Sequence, residues 1–165
     1  MSITRRDFVK YCTAAGAALG LAPGDLLRLD SLLAAPNTPS VIWLQGSACT
    51  GCSVAFLNRI SPAAPRNAAE ILINKVSMVY HHNVMGAAGE MAVAAAEAAF
   101  DSGRYILVLE GGIPTNFGGA ACWAWTYGGR DVTFLEAVTG LAEGATHILG
   151  VGPCACYGGL PAAPP

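Results

Sequence analysis

The chain has 165 residues, 53% hydrophobic and 12% charged, which is ample apolar material for one ordinary domain and argues against disorder. Nine basic and eleven acidic side chains leave a net charge of −2 without runs of one sign, so the electrostatic footprint of a nucleic-acid binder is missing and no such partner is expected. Twenty glycines imply tight turns and close backbone approach, and six cysteines need a specific explanation.

Residues 1–36 read as an export signal. Thr4-Arg5-Arg6-Asp7-Phe8-Val9-Lys10 matches the twin-arginine pattern, in which two arginines precede any residue, an apolar position and often a lysine. The Ala- and Gly-rich run at 11–22 is too short and too weakly hydrophobic for a spanning helix, which takes about 20 apolar residues, and fits the apolar region of a cleaved signal. A chance arginine pair before an amphipathic helix would leave Phe8 and Lys10 without a reason. Processing is expected near Ala34 to Asn37, which leaves 37–165 as the mature domain, periplasmic and exported by the twin-arginine route. Such a route carries passengers that fold before crossing. Cys12 falls within the signal and is expected to act there as a small apolar residue.

After a linker at Asn37-Thr38-Pro39, residues 40–44 predict a fully buried strand of the parallel kind. The loop Gly46-Ser47-Ala48-Cys49-Thr50-Gly51-Cys52 leads into a helical pattern reaching Ile60, the opening of a βαβ unit. Residues 61–68 read as a connection, and 69–80 contain an apolar run, Val76-Ser77-Met78-Val79, suited to the second strand. A two-glycine loop at 83–89 precedes an alanine-rich helix over 90–100. Residues 105–109 predict the third strand, running into Glu110-Gly111-Gly112-Ile113-Pro114. Residues 116–130 form a glycine- and aromatic-rich excursion. Asp131 or Thr133 can cap a helix over 134–141. Residues 148–151 give the fourth strand, ending in Gly152-Pro153-Cys154-Ala155-Cys156-Tyr157-Gly158-Gly159.

Strands alternating with helices predict an α/β fold with a flavodoxin-like open parallel sheet. In such sheets, ligands sit beyond the carboxyl ends of the strands, near the switch in strand order. Cys49, Cys52, Glu110 and Cys154 all follow predicted strands, so residues distant in sequence should converge on one edge.

The spacing Cys49-x-x-Cys52 with a distant Cys154 suits two or more corners of an iron–sulfur cluster, and tetrahedral zinc would accept the same thiolates. A redox-active pair at a helix start, or a structural disulfide in an oxidising compartment, fits as well. Spacing alone ranks cluster and zinc equally and leaves the others open.

The flanking sequence narrows the choice. Trp43-Leu44-Gln45-Gly46-Ser47-Ala48-Cys49-Thr50-Gly51-Cys52-Ser53 resembles the strand-loop-helix of nickel-iron hydrogenase small subunits. Further similar stretches follow in the same order: Ser77-Met78 to Tyr80-His81, Met85 to Gly89, Glu110 to Pro114, and Gly152-x-Cys154-Ala155-x-Tyr157-Gly158-Gly159. The resemblance covers essentially the whole mature chain and implies the N-terminal, flavodoxin-like domain of such a subunit. It implies that Cys49, Cys52 and Cys154 ligate a proximal 4Fe-4S cluster, with a fourth ligand expected beyond Pro165. Further 3Fe-4S and 4Fe-4S clusters belong to the family's C-terminal part, which this sequence lacks, so it looks like a fragment or a truncated product. The implied function is electron transfer from H2 oxidation, with the active site on a large-subunit partner, no catalytic residue here, and an acceptor such as a cytochrome. Membrane association through a further partner is left open.

Cys156 lies two residues from a ligand position and is expected as a neighbouring thiol, while Cys122 reads as structural or incidental. The family's oxygen-tolerant members add cysteines at positions matching Gly51 and Gly159, so a six-cysteine cluster is not expected. Glu110 reads either as a buried acid of raised pKa able to pass protons or as an acceptor for the Gly111-Gly112 loop. His81 and His82 point to opposite faces and read mainly as packing, and His147 carries no role. Trp43, Trp123 and Trp125 are expected in the core or at a subunit interface. Two alternatives remain: an exported zinc-binding or thiol-disulfide domain, and the cluster subunit of an NADH:quinone oxidoreductase-like complex. The second fits less well, because that family has adjacent cysteines at the first site and no export signal.

Overall fold

The computed structural model describes residues 38–159 and residue 162. The signal assigned to 1–36, Cys12 and the processing site near Ala34 to Asn37 lie outside the described residues. The elements in order are β1 (Ser40–Gln45), α1 (Gly51–Leu57), α2 (Ala68–Asn74), β2 (Ser77–His81), α3 (Glu90–Ser102) and β3 (Tyr105–Glu110). A short 3-10 turn (Asn116–Gly119), β4 (Trp123–Tyr127), β5 (Arg130–Thr133), α4 (Phe134–Gly144), β6 (His147–Val151) and α5 (Gly152–Tyr157) complete them.

Four strands pair in parallel in the order β2-β1-β3-β6, the flavodoxin-like arrangement expected from the alternation of strands and helices. The central strands carry near-continuous apolar runs because both of their faces are covered. On one face Ile42, Leu44, Tyr105 and Leu107 pack against Ala92, Ala96 and Ala99 of α3 and Phe134, Val138 and Leu141 of α4. The alanine stripe brings α3 close to the sheet. On the other face Val41, Trp43 and Val108 are buried with Phe56, Val76 and Met78 against them. Each side chain of this size, fully buried, is worth about 1.5–3 kcal/mol.

Local chemistry explains where the elements begin and end. Thr133, rather than Asp131, caps α4: its hydroxyl accepts the Glu136 N–H at 3.1 Å while the Glu136 carboxylate accepts the Thr133 N–H at 3.3 Å. The helix then runs to Gly144, three residues past the sequence expectation, as α3 runs two past its own.

Two elements differ more from the reading of the sequence. Residues 68–74, expected to lead straight into a strand, form α2, because the Asn67 side chain accepts the Glu70 N–H at 2.9 Å and supplies the helix cap. The 116–130 excursion contains a hairpin, β4 paired antiparallel with β5, turned by Gly128 and Gly129 at φ 56° and 76°. Two consecutive positive φ values are what a tight hairpin turn demands, so the Gly-Gly pair was the local signal for it. α1 stops at Leu57, short of the expected Ile60.

Candidate functional site

The site is built on the carboxyl ends of β1, β3 and β6. Gln45 and Glu110 are direct partners across β1 and β3, and Glu110 pairs with Val151 of β6. The loop after β1 therefore leaves beside the end of β3, and α5 starts on its other side. These exits carry Cys49 and Cys52 on one arm and Cys154 and Cys156 on the other. The loop is clamped to the strand end: Gly46 N–H donates to the Glu110 carbonyl at 2.9 Å, and Ser47 and Gly112 exchange backbone hydrogen bonds at 3.0 and 3.1 Å. A side chain at Gly46 would run into the Phe134 ring and the Gly112 carbonyl, so only glycine lets the loop turn there.

Glu110 ties this arm together from below. It is 2% exposed. Its Oε2 accepts Trp43 Nε1–H at 3.0 Å, Gln45 Nε2–H at 3.1 Å and the Ser53 hydroxyl at 2.5 Å. Its Oε1 accepts the backbone N–H groups of Cys52 at 3.1 Å and Ser53 at 3.4 Å. Every partner is a donor and none is a cation, so the carboxyl group is ionised by hydrogen-bond arithmetic. Burial pushes its pKa up, but the bonds from Ser53, Gln45 and Trp43 outweigh burial and hold it below the usual value. Both expectations for Glu110 are thereby corrected. It is not a raised acid, and the amides it binds belong to Cys52 and Ser53 instead of Gly111 and Gly112, because the register places it under the start of α1.

The network continues through Ser53 to His81. His81 is 1% exposed, and its Nδ1 accepts the Asn83 N–H at 3.1 Å, which puts the ring proton on Nε2, 3.1 Å from Ser53 Oγ. Ser53 Oγ also accepts Gln45 Nε2–H at 2.7 Å, and Gln45 Oε1 accepts Asn83 Nδ2–H at 3.0 Å. The hydroxyl accepts twice and donates once, to Glu110. Burial lowers the His81 pKa and the nearby carboxylate raises it, with burial dominating. The imidazole stays neutral. Its ring also lies 5.2 Å from Trp43, so packing is one part of its role and hydrogen bonding the other. Its neighbour His82 is exposed, and His82 Nδ1 accepts the Gln45 N–H at 3.3 Å.

The grip on Cys52 and Ser53 offsets strain in the loop. Thr50, between the two cysteines, sits at φ 65° and ψ 3°, a left-handed conformation unusual for a residue with a branched side chain. Such strain of about 1–3 kcal/mol persists where the surroundings over-determine it.

The thiols themselves are close enough to interact. Burial raises the Cys52 pKa, and Glu110, Cys49, Cys154 and Cys156 push it the same way. Cys52 Sγ lies 3.7 Å from the Val151 carbonyl. Each of the three thiols faces a glycine. A Cβ on Gly51 would stand 3.1 Å from Cys49 Sγ, one on Gly159 2.6 Å from Cys154 Sγ, and one on Gly152 would collide with Cys52 Sγ. Gly152 and Gly159 have φ of 81° and 62°. Glycine backbone is thus brought close to the sulfurs, where any side chain would crowd them. Cys49 and Cys156 are exposed, Cys52 and Cys154 half-buried, and all are free thiols. Cys156 Sγ turns back onto the Gly150 carbonyl at 3.5 Å. Cys122 packs at the rim of the larger core cluster, where burial raises its pKa, and has no place among the other four. Among the described residues, no three His, Cys, Asp or Glu side chains stand in the geometry of a single-ion site.

Sequence reasoning named the cysteines and Glu110 but missed Ser53, Gln45 and Trp43 as the carboxylate's partners. Period-two alternation places Trp43 and Gln45 on one face of β1, and the register puts Glu110 beside them, so the face was readable once the pairing was known.

A parallel sheet that gathers cysteine-bearing loops at one end marks the class to which the chain belongs. It is a member of the family described as NADH ubiquinone oxidoreductase, 20 Kd subunit, which matches residues 49–165. More particularly, the chain is 38% identical to the periplasmic NiFeSe hydrogenase small subunit of Desulfomicrobium baculatum and 35% identical to the periplasmic NiFe hydrogenase small subunit of Solidesulfovibrio fructosivorans. Each comparison covers 99% of this chain, but only 53% and 49% of those relatives. The uptake hydrogenase small subunit of Azotobacter vinelandii is 37% identical over 99% of this chain and 44% of its own length. The fold is similar to that in the reduced, active Ni-Fe-Se hydrogenase from D. baculatum, with TM-score 0.71 and 37% identity over 77% of this chain and 46% of that one. It is also similar to the oxidised NiFeSe hydrogenase of Desulfovibrio vulgaris Hildenborough, with TM-score 0.73 and 34% identity over 78% and 45%. The resemblance drawn from five short motifs therefore extends along the whole chain, which spans about half the length of the curated relatives it matches.

Proposed function

We propose that this chain is the cluster-bearing N-terminal part of a hydrogenase small subunit, and that Cys49, Cys52 and Cys154 hold a 4Fe-4S cluster. The carrying observation is the convergence of these thiols from β1 and β6 on either side of Glu110, each sulfur faced by a glycine. The donor set fits the group: thiolates for iron, backbone placed against sulfur, and buried neutral donors that fix the loop without competing for metal. When bound, the cluster supplies one-electron storage and transfer.

The chain's own residues bind and position. Glu110 holds the Cys52 and Ser53 amides, Ser53 links the carboxylate to His81, and Gly152 gives Cys52 room beside the Val151 carbonyl. The fourth ligand lies beyond Pro165, and any further 3Fe-4S or 4Fe-4S clusters lie there too. Cys156, two residues from Cys154, is the thiol to stand in at a vacant corner. H2 chemistry belongs to a nickel-iron large-subunit partner, and this subunit passes electrons to an acceptor such as a cytochrome. The periplasmic names of two relatives and the Arg5-Arg6 signal support export by the twin-arginine route. The family description also covers the quinone-oxidoreductase reading, but the hydrogenase small subunits among the relatives and the separated Cys49 and Cys52 favour the hydrogenase.

The test is iron and acid-labile sulfide analysis with low-temperature EPR on the gene product purified anaerobically with its co-expressed neighbour. Iron, sulfide and a reducible cluster signal, all diminished in Cys49→Ser, are expected. One zinc per chain with neither iron nor sulfide would replace the proposal with an exported zinc-binding domain.

A further inference from the structure

A buried carboxylate normally has a cation beside it, because an isolated charge in an apolar interior is costly. Glu110 has none among its hydrogen-bond partners. Three neutral side chains and two backbone amides saturate it, and the Ser53 hydroxyl that donates to it is itself held by Gln45 and His81. The arrangement keeps a full negative charge fixed and largely out of water directly beneath the Cys49–Cys52 loop. If the only need were to pin the Cys52 and Ser53 amides, a neutral acceptor would serve with less desolvation.

The geometry points to Glu110 as the residue that sets the electron affinity of the cluster, its fixed charge opposing the arrival of an electron, with Ser53 and His81 as positioning residues that hold the charge in place. This rests on the cluster reading proposed above. The step is a one-electron reduction of the oxidised cluster, with the electron supplied through the partner subunit and no bond made or broken in this chain. Net charge and hydrogen bonding around a cluster are the recognised levers on its potential.

Charge and shape can be separated by substitution. Glu110→Gln keeps the shape, loses the charge and turns one acceptor oxygen into a donor, whereas Glu110→Asp keeps the charge and shortens the arm. Ser53→Ala keeps the charge and removes one donor. The readout is EPR-monitored redox titration of the complete small subunit in complex with its partner. Glu110→Gln is expected to raise the midpoint potential, increasing the reduced-to-oxidised ratio at fixed solution potential about tenfold, the order expected of one unit charge about 12 Å away through an effective dielectric of about 20. Glu110→Asp and Ser53→Ala should stay within about threefold of the parent, well short of that Coulomb effect. An intact cluster in Glu110→Gln with unchanged potential would overturn the assignment. So would Glu110→Asp or Ser53→Ala rising as far as Glu110→Gln, since the effect would then belong to shape. Should Glu110→Gln assemble no cluster, Glu110→Asp decides alone: an unchanged potential supports the charge, and a raised one overturns it. A parent complex without cluster signals fails at the earlier step, and the inference falls with the reading it rests on.

Discussion

The two arms that bring thiols to the end of the sheet are held in different ways. The first, from Gln45 to Ser53, leaves a buried strand, is clamped by paired backbone bonds to Gly112, and is gripped from below by an ionised carboxylate with five donors. The second leaves β6, an edge strand whose His147, Ile148, Leu149 and Gly150 are exposed, and its position rests on backbone and glycines. Cys52 is therefore preorganised by charge and hydrogen bonding, and Cys154 by chain geometry. A cofactor would find Cys52 set on the first arm and close the site by fixing the second.

Substitutions can break this contrast in graded steps. The largest effect is expected from Phe134→Ala. Its ring is fully buried and lies under Gly46, so the change removes core packing and the support of the first arm together. A loss of about 3–5 kcal/mol in chemical denaturation is expected. Gly152→Ala comes next. It drives a methyl into Cys52 Sγ at a backbone φ of 81°, and about 1–3 kcal/mol should be lost. Gly140→Ala serves as its control, because that position lies in α4 with open space around it and should gain about 0.4–1 kcal/mol. Loss at Gly140 equal to that at Gly152 would remove the claim that the second arm depends on its glycine.

Acid should act on the first arm. His81, His82 and Glu110 all have folded pKa values below their ordinary ones, so each contributes stability that is present above the ordinary value and lost as pH falls through the folded value. The decline should begin below about pH 6.5, where an unfolded histidine takes up a proton, and deepen below about pH 4.3, where an unfolded glutamate does. Denaturant midpoints measured across this range check it, and replacing both His81 and His82 with Gln should flatten the first stage while leaving the second. The smallest effect is expected away from both arms: Thr133→Ala removes the cap of α4 and should cost about 1 kcal/mol in thermal unfolding. The exposed Arg130–Glu136 pair beside it should contribute less than about 1 kcal/mol.

Much of the first arm was legible because its signals are local. The apolar run of β1, the Gly46 turn and the Cys49-x-x-Cys52 spacing are contiguous, and the alternation of strands with helices was enough for an open parallel sheet. What escaped the sequence was set by pairing. Whether Glu110 meets the Gly111-Gly112 amides or those of Cys52 and Ser53 depends on the register of β1 against β3, and the role of Ser53 needs His81 from a third strand. α2 was hidden because its capping Asn67 sits in a proline-rich connection, and the hairpin because its strands are only five and four residues long. The openness of β6 has no local sign either, since Ile148-Leu149-Gly150-Val151 reads as a buried strand.

The most direct measurement of the central claim, that both arms hold one iron–sulfur cluster, is anaerobic native mass spectrometry of the purified complex, comparing the parent with Cys52→Ser and Cys154→Ser. A mass gain of iron and sulfide assigned to this subunit, lost or reduced when a thiol from either arm is removed, is expected. A gain matching a single zinc ion, or an iron–sulfur mass that survives both substitutions, would contradict it.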